Sequence, residues 1–245
     1  MSQQENFVSH LVELRDRLLR AVIGFLIVFV ALMAYPGAAY IFDLLALPIQ
    51  SALPEGTKMI ATGVITPFMV PVKLTAMVAF VISLPILLYQ AWSFIAPGLY
   101  LHEKKMALPI IFSSTVLFLL GIAFCHFIVF GKVFAFINDF APQSITPAPD
   151  IEAYMSFVLT MFMAFGMTFE VPIVVVVLVY LGVVTVEKLA EVRGYVIVAA
   201  FVIAAIVTPP DVMSQLFLAI PICILYEVGI LFAKVIGKQR QQIME

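Results

Sequence analysis

Residues 154–181 read YMSFVLTMFMAFGMTFEVPIVVVVLVYL, a run of 28 positions whose only acid is Glu170 and which holds no lysine, arginine or histidine. At 1.5 Å of rise per residue this is about 42 Å of helix, enough to cross a hydrocarbon core of roughly 30 Å. Backbone N–H and C=O groups in lipid have no water to bond, so the run predicts a membrane-spanning helix whose hydrogen bonds close within itself. Working outward, comparable runs cover residues 18–41, 71–97 and 109–137. A last apolar stretch, residues 195–236, is interrupted by Thr208-Pro209-Pro210-Asp211. Prolines lack N–H donors and push the preceding residue out of the helical region, so this stretch predicts a tight hairpin with arms 195–207 and 212–236. The first arm gives only about 20 Å of helix, which calls for a thinned bilayer or shielding by protein.

Composition agrees along the whole chain. Of 245 residues, 64% are hydrophobic and 11% charged, and the mean hydropathy is +1.14. Soluble domains run at about 45–50% apolar and roughly 25% charged. The polar side chains here are too few to cover a water-facing surface, and a soluble protein is excluded. A net charge of −2 offers no basic footprint for nucleic-acid phosphates. Cys125 and Cys223 sit inside apolar runs and read as small buried hydrophobes, not as a disulfide or metal framework. No repeat or low-complexity linker divides the chain, so residues 1–245 are expected to form a single polytopic membrane domain.

Orientation follows from the basic residues, which concentrate in cytoplasmic loops. With six spans and both termini inside, Arg15, Arg17, Arg20, Lys104, Lys105, Lys188, Arg193, Lys234, Lys238 and Arg240 are cytoplasmic. Only Lys58, Lys73 and Lys132 fall on the far side, so ten of thirteen obey the rule. The first span exceeds the usual core of a cleaved signal peptide and reads as an uncleaved anchor. Residues 42–70 carry Leu44, Leu45, Leu47 and Ile49 among prolines, and are expected to fold as a cap on the outer face. Pro85, Pro172 and Pro221 each remove one helix hydrogen bond. The expected fold is therefore an all-α integral membrane protein of six transmembrane helices, N-in and C-in, with kinked helices forming a cupped scaffold and the last two helices short.

Few residues could carry chemistry. His102-Glu103-Lys104-Lys105-Met106 opens like a zinc-protease helix but lacks the second histidine, and neither a nucleophile elbow nor a phosphate-cradling loop occurs. An enzyme is not expected, and no cofactor is implied. Glu170 lies 11 residues from the inner end of its span, about 16 Å deep. A carboxylate there costs at least about 2.5–3.5 kcal/mol, so it must be protonated, paired, or facing water or a partner. Glu227 lies nearer the inner surface, where it can snorkel or pair with Lys234. From Ser9 to Arg20, Leu11, Leu14 and Leu18 form one face and Glu13 with Arg17 an i, i+4 pair on the other, which reads as an amphipathic helix on the membrane surface. Cys125 and His126 in the third span read as a packed core pair.

Several of these segments resemble the TatC family, the multi-spanning receptor subunit of the twin-arginine protein translocase. His10-Leu11-Val12-Glu13-Leu14-Arg15-Asp16-Arg17-Leu18 is similar to the family signature His-Leu-x-Glu-Leu-Arg-x-Arg-Leu. Further matches are Pro48, Phe94-Ile95-Ala96-Pro97-Gly98-Leu99-Tyr100 with Glu103, Phe165-Gly166 with Phe169-Glu170-Val171-Pro172, and Thr208-Pro209-Pro210-Asp211 with Gln215. The resemblance runs nearly end to end and in the family's order.

The resemblance implies a protein of the bacterial cytoplasmic membrane that binds signal peptides bearing two consecutive arginines. It would export folded proteins with the single-span partners TatA and TatB, in an oligomeric complex driven by the proton-motive force. Carboxylates accept the planar guanidinium fork bidentately, and the resemblance makes Glu13 and Glu103 those acids, with Phe94 and Arg17 shaping the site. It assigns Glu170, Thr208 and Gln215 to partner-helix contacts, and Pro48 and Asp211 to the outer cap. On the residues alone, a proton- or ion-coupled solute transporter using Glu170 and a ligand-free assembly scaffold stay open. The hairpin occurs only in the second half of the chain, which counts against the paired broken helices usual in such transporters.

Overall fold

The computed structural model describes residues 3–51, 60–95, 107–140, 150–208 and 211–244. Its helices, in chain order, are α1 (Gln3–Ala34), α2 (Ala38–Ser51), α3 (Thr66–Ile95), α4 (Ala107–Phe124), α5 (Phe130–Phe140), α6 (Ile151–Phe169), α7 (Val171–Tyr180), α8 (Val186–Glu191), α9 (Arg193–Val207) and α10 (Val212–Met244). A π turn, Cys125–Val129, joins α4 to α5, and the Phe130 N–H donates to the Cys125 carbonyl. Among the described residues five helical stretches are long and apolar enough to cross a bilayer: Leu11–Ala34, Thr66–Phe94, Leu108–Val133, Ile151–Tyr180 and Val212–Val235. Arg193–Val207 is a shorter apolar helix. Leu18, Ile27 and Val30 on α1, Phe112 on α4 and Ile206 on α9 expose most of their apolar surface. In water such a surface would drive association, whereas in lipid it is the ordinary exterior.

Four expectations change. The first span ends at Ala34, not near residue 41, because Pro36 cannot donate and Gly37 adopts φ +95°, a left-handed conformation that glycine enters without steric cost. The chain restarts as α2, so the segment carrying Pro48, expected on the outer face, begins as helix. The amphipathic segment 9–20 is not a separate surface helix: no glycine or proline interrupts the chain between residues 3 and 23, and α1 runs unbroken into the span. The span at 154–181 is divided at Glu170, whose φ −75° and ψ −18° lead into α7 with Pro172 in its first turn. Lastly, only α9 is short, since α10 continues through Pro221 for 33 residues. One interior proline deletes one hydrogen bond, and the packing of α10 along α7 and α9 outweighs that loss.

The chain divides into two compact units, residues 1–115 with 146–156, and residues 116–145 with 157–245. In the first, α1 and α2 pack on α3, whose Val70, Leu74, Ala79, Leu84 and Trp92 are buried. Gly24 lets α1 approach closely, for a Cβ there would lie 3.1 Å from Ile86 Cγ2. A polar clasp joins the entry to α3 with the head of α6. The Ile151 N–H donates to the Ile60 carbonyl at 2.9 Å, and the Asp150 carboxylate accepts the Thr62 N–H and hydroxyl. Its other oxygen accepts the N–H groups of Glu152 (2.9 Å) and Ala153 (3.0 Å), capping α6. Glu152 in turn accepts Lys73 Nζ and Thr66 Oγ1, each at 2.8 Å. The Thr62 hydroxyl, followed by the backbone N–H groups, holds the Asp150 carboxyl down to a pKa of about 2.

In the second unit, Val175, Leu189, Tyr226, Ile230 and Ala233 form a buried cluster where α7, α8 and α10 meet. The Tyr226 hydroxyl donates to the Leu189 carbonyl at 2.9 Å, so its polar end is satisfied inside that cluster. Two glycines bring backbones together. A Cβ on Gly121 would lie 2.9 Å from the Phe165 carbonyl carbon and 3.0 Å from Gly166 Cα, and a Cβ on Gly166 would meet the Phe118 ring. Small residues at such crossings are how helices associate in lipid, where no hydrophobic force draws them together. Cys125 is fully buried, and the His126 ring packs edge-on against Phe127 at 4.8 Å and tilted against Phe162 at 6.3 Å.

Candidate functional site

The cytoplasmic end expected for α1 holds a charged cluster because its sequence alternates acids and arginines within one turn. Arg17 donates Nε and Nη2 to Glu13 Oε1 at 2.9 and 2.6 Å, the i, i+4 pairing expected from the sequence. Arg15 places Nε and Nη2 on Asp16 Oδ1 at 2.9 and 2.8 Å. Val12, Glu13, Asp16, Arg17 and Arg20 line one polar hollow of about 340 Å³.

Phe94 is half-buried in the last turn of α3. Within the preceding turn of the same helix, Gln90 Oε1 and Trp92 Nε1 are buried without hydrogen-bond partners among the described residues, an acceptor and a donor that the apolar pattern of the sequence does not disclose. Glu103, with Pro97 through Met106, lies outside the described residues, so the structure places Glu13 with Arg17 but does not bring the second acid to them.

The residues expected at partner contacts fall at the α6–α7 break and the α9–α10 elbow. Glu170 is the half-buried turn residue between α6 and α7. At the elbow, the Thr208 hydroxyl donates to the Ala204 carbonyl at 2.8 Å and Gln215 Nε2 to the Phe201 carbonyl at 3.3 Å. Asp211 Oδ1 accepts the Ser214 N–H at 2.7 Å and so caps α10. Thr208, Asp211 and Gln215 thus sit on one short elbow and bond to its backbone. Pro209 and Pro210 between them lie outside the described residues, and nothing is described of the Pro48 side chain.

Glu227 does not pair with Lys234. It accepts a two-point fork from Arg193, Nε to Oε1 at 2.6 Å and Nη2 to Oε2 at 2.9 Å, because α9 begins beside α10. The sequence signal was present in the requirement that an acid within an apolar helix find a cation, but 34 positions separate the two partners. Lys73 and Glu152 are a second pair of this kind.

Long apolar helices with exposed apolar faces, and charges gathered at helix ends, define a polytopic α-helical membrane protein with no catalytic constellation among the described residues. The family described as Sec-independent protein translocase protein (TatC) matches residues 9–221. A Sec-independent protein translocase protein TatC of Haemophilus influenzae is 51% identical over 234 residues, covering 96% of this chain and 91% of its own length. That of Escherichia coli K12 is 44% identical over 236 residues, with coverage of 96% and 91%. A crystal structure of twin arginine translocase receptor TatC superposes with a TM-score of 0.81 at 42% identity, over 92% of this chain and 98% of that one. The chain belongs to the TatC family. It is a TatC-type subunit of the Sec-independent twin-arginine translocase, a multi-pass protein of the bacterial inner membrane and not an enzyme.

Proposed function

We propose that this chain binds twin-arginine signal peptides on its cytoplasmic face through Glu13 and Glu103, with Phe94 and Arg17 shaping the site. The observation that carries this reading is the half-buried Glu13 carboxylate holding the Arg17 guanidinium in a two-donor fork. A site that already holds one arginine in that geometry is suited to another. The chain then acts with TatB in recognition and with TatA in transport of folded proteins, in an oligomeric complex driven by the proton-motive force. Glu170, Thr208 and Gln215 meet the single-span partner helices, for which polar groups at a helix break and elbow supply hydrogen bonds in lipid. Pro48 and Asp211 belong to the outer cap.

The topology that fits this role has six spans with both termini inside, its kinked helices forming a cupped scaffold, and α9 as a short fifth span. The distribution of basic residues supports it, as do the interior prolines Pro71, Pro85 and Pro221. Residues 1–245 act as one polytopic membrane domain: two of the three divisions between the compact units, at 115/116 and 156/157, fall within apolar helices, α4 and α6, whereas independent domains part in exposed linkers.

Equilibrium binding of a fluorescent twin-arginine signal peptide and its twin-lysine counterpart to the purified protein tests the site. Preference for arginine, lost in Glu13→Ala and Glu103→Ala, is the expected result. Equal binding of the two peptides, unchanged by either substitution, would make both acids solvated charges and refute the assignment.

A further inference from the structure

The hollow at the start of α1 contains a second acid that the family signature leaves unspecified. Asp16 stands three residues after Glu13, about 4.5 Å further along the axis and on the same side of the helix, and both line the same hollow. Arg17 forks onto Glu13 Oε1 and Arg15 onto Asp16 Oδ1. The two pairs differ in accessibility: the Glu13 and Arg17 side chains are 31% and 22% exposed, those of Asp16 and Arg15 44% and 66%. An ion pair so exposed is screened by water and contributes little, so an incoming guanidinium can replace Arg15 on Asp16 at small cost.

We propose that Asp16 is a specificity-determining residue of the signal-peptide site, holding one arginine of the pair between its carboxylate and that of Glu13. The proposal rests on the reading of Glu13 given above. A guanidinium presents five donors in a planar fork and can address two carboxylates one helix turn apart, whereas an ammonium is a compact point charge. Arg15, Arg17 and Arg20 surround the two acids. The hollow therefore has no net negative charge to attract any cation, and selection falls to geometry.

The test uses the full-length protein in detergent and four fluorescent peptides bearing Arg-Arg, Arg-Lys, Lys-Arg or Lys-Lys. Asp16→Asn is expected to weaken Arg-Arg binding by about threefold to tenfold, the loss of one charge-assisted contact. Asp16→Glu is expected to restore it, and the effect of Asp16→Asn is expected to vanish for one of the two mixed peptides, identifying the arginine that Asp16 holds. If Glu13→Gln abolishes arginine preference while Asp16→Asn leaves it intact, Asp16 is a solvated charge: the proposal falls and the Glu13 assignment stands. If Asp16→Asn weakens all four peptides equally, its role is general and the proposal is likewise overturned. If neither substitution changes the ratio of Arg-Arg to Lys-Lys binding, the Glu13 assignment and the proposal fall together.

Discussion

Replacing Gly121 with alanine sets two opposing effects against each other, and the structure decides the sign. Alanine in place of glycine inside a helix gains about 1 kcal/mol, through lower backbone entropy in the unfolded chain and better helix propensity. At Gly121 the new methyl would lie 2.9 Å from the Phe165 carbonyl carbon and closer still to its oxygen. Ordinary carbon contacts begin at about 3.5 Å, so α6 must retreat by at least about 0.6 Å, and a backbone cannot swing aside as a side chain can. Overpacking of this kind costs about 1–3 kcal/mol, here toward the upper end, which leaves Gly121→Ala destabilised by about 1–2 kcal/mol. Gly131 has nothing within 4 Å of its Cβ position among the described residues, so Gly131→Ala should keep the whole gain. Cys125, one turn from Gly121 and fully buried, supplies the assay: its thiol reacts with a maleimide only when this region opens. In a Cys223→Ser background, Gly121→Ala should speed labelling of Cys125 by about 5- to 30-fold, and Gly131→Ala should slow it. Equal labelling rates for the two variants would refute the claim that α4 and α6 touch through their backbones. Gly166→Ala provides a further control: its methyl would lie 2.6 and 2.7 Å from Phe118 Cε2 and Cε1 and closer still to Cζ, so Phe118→Leu should rescue it, whereas no side-chain change should rescue Gly121→Ala.

The Asp150 carboxyl is held at about 2 in the folded protein, below the value of about 3.9 of a free aspartate. Its contribution is therefore complete above about pH 4 and is lost as pH falls through about 2. Amide exchange at Ile151 and Thr62 should stay slow down to that range, and Thr62→Val should bring the loss to higher pH. Breaking the Arg193–Glu227 fork with Glu227→Gln should lower stability by no more than about 1 kcal/mol, since both side chains are near 45% exposed, while Lys234→Gln should change nothing. A thermal melt in detergent in which Lys234→Gln is the more damaging variant would contradict the pairing. Gly37→Ala forces an L-residue into φ +95° and should cost about 1–2 kcal/mol, whereas Gly182→Asn, at φ +71°, should cost less because asparagine tolerates that region. Melting temperatures of the two variants check the order.

How much of this was legible in advance depended on whether the deciding interaction was local. The membrane helices were readable because the absence of charge over twenty or more residues is a local property with one physical solution. The ends of helices were less so. Pro36 and Gly37 terminate α1 early, and their effect could have been read from the dipeptide, but Pro221, equally visible, does not terminate α10. The difference lies in what each segment packs against, which is not a local property. The Glu13–Arg17 pair was legible because i, i+4 neighbours meet on any helix. Arg193 with Glu227, and Lys73 with Glu152, were not, since topology brings together residues 34 and 79 positions apart. Asp16 was in plain view in the signature segment, yet only its place in the same hollow as Glu13 gives it a role.

The π turn at Cys125–Val129 changes the phase of a helix. Through α4 the buried positions run Phe118, Gly121, Cys125, at alternating steps of three and four. The same rhythm would continue to residues 128 and 132. Instead the widened turn absorbs one extra residue, and the buried positions become Val129, Phe130 and Val133. Ile128 and Lys132 are thereby rotated outward, and both are exposed. A lysine that an unbroken α-helix would drive into the packed interior stands instead on its rim. Straightening the turn at constant length would bring Lys132 inward, whereas deleting one residue along with the widening would leave Lys132 outward and Val133 inward, so here the count of residues matters more than their kind.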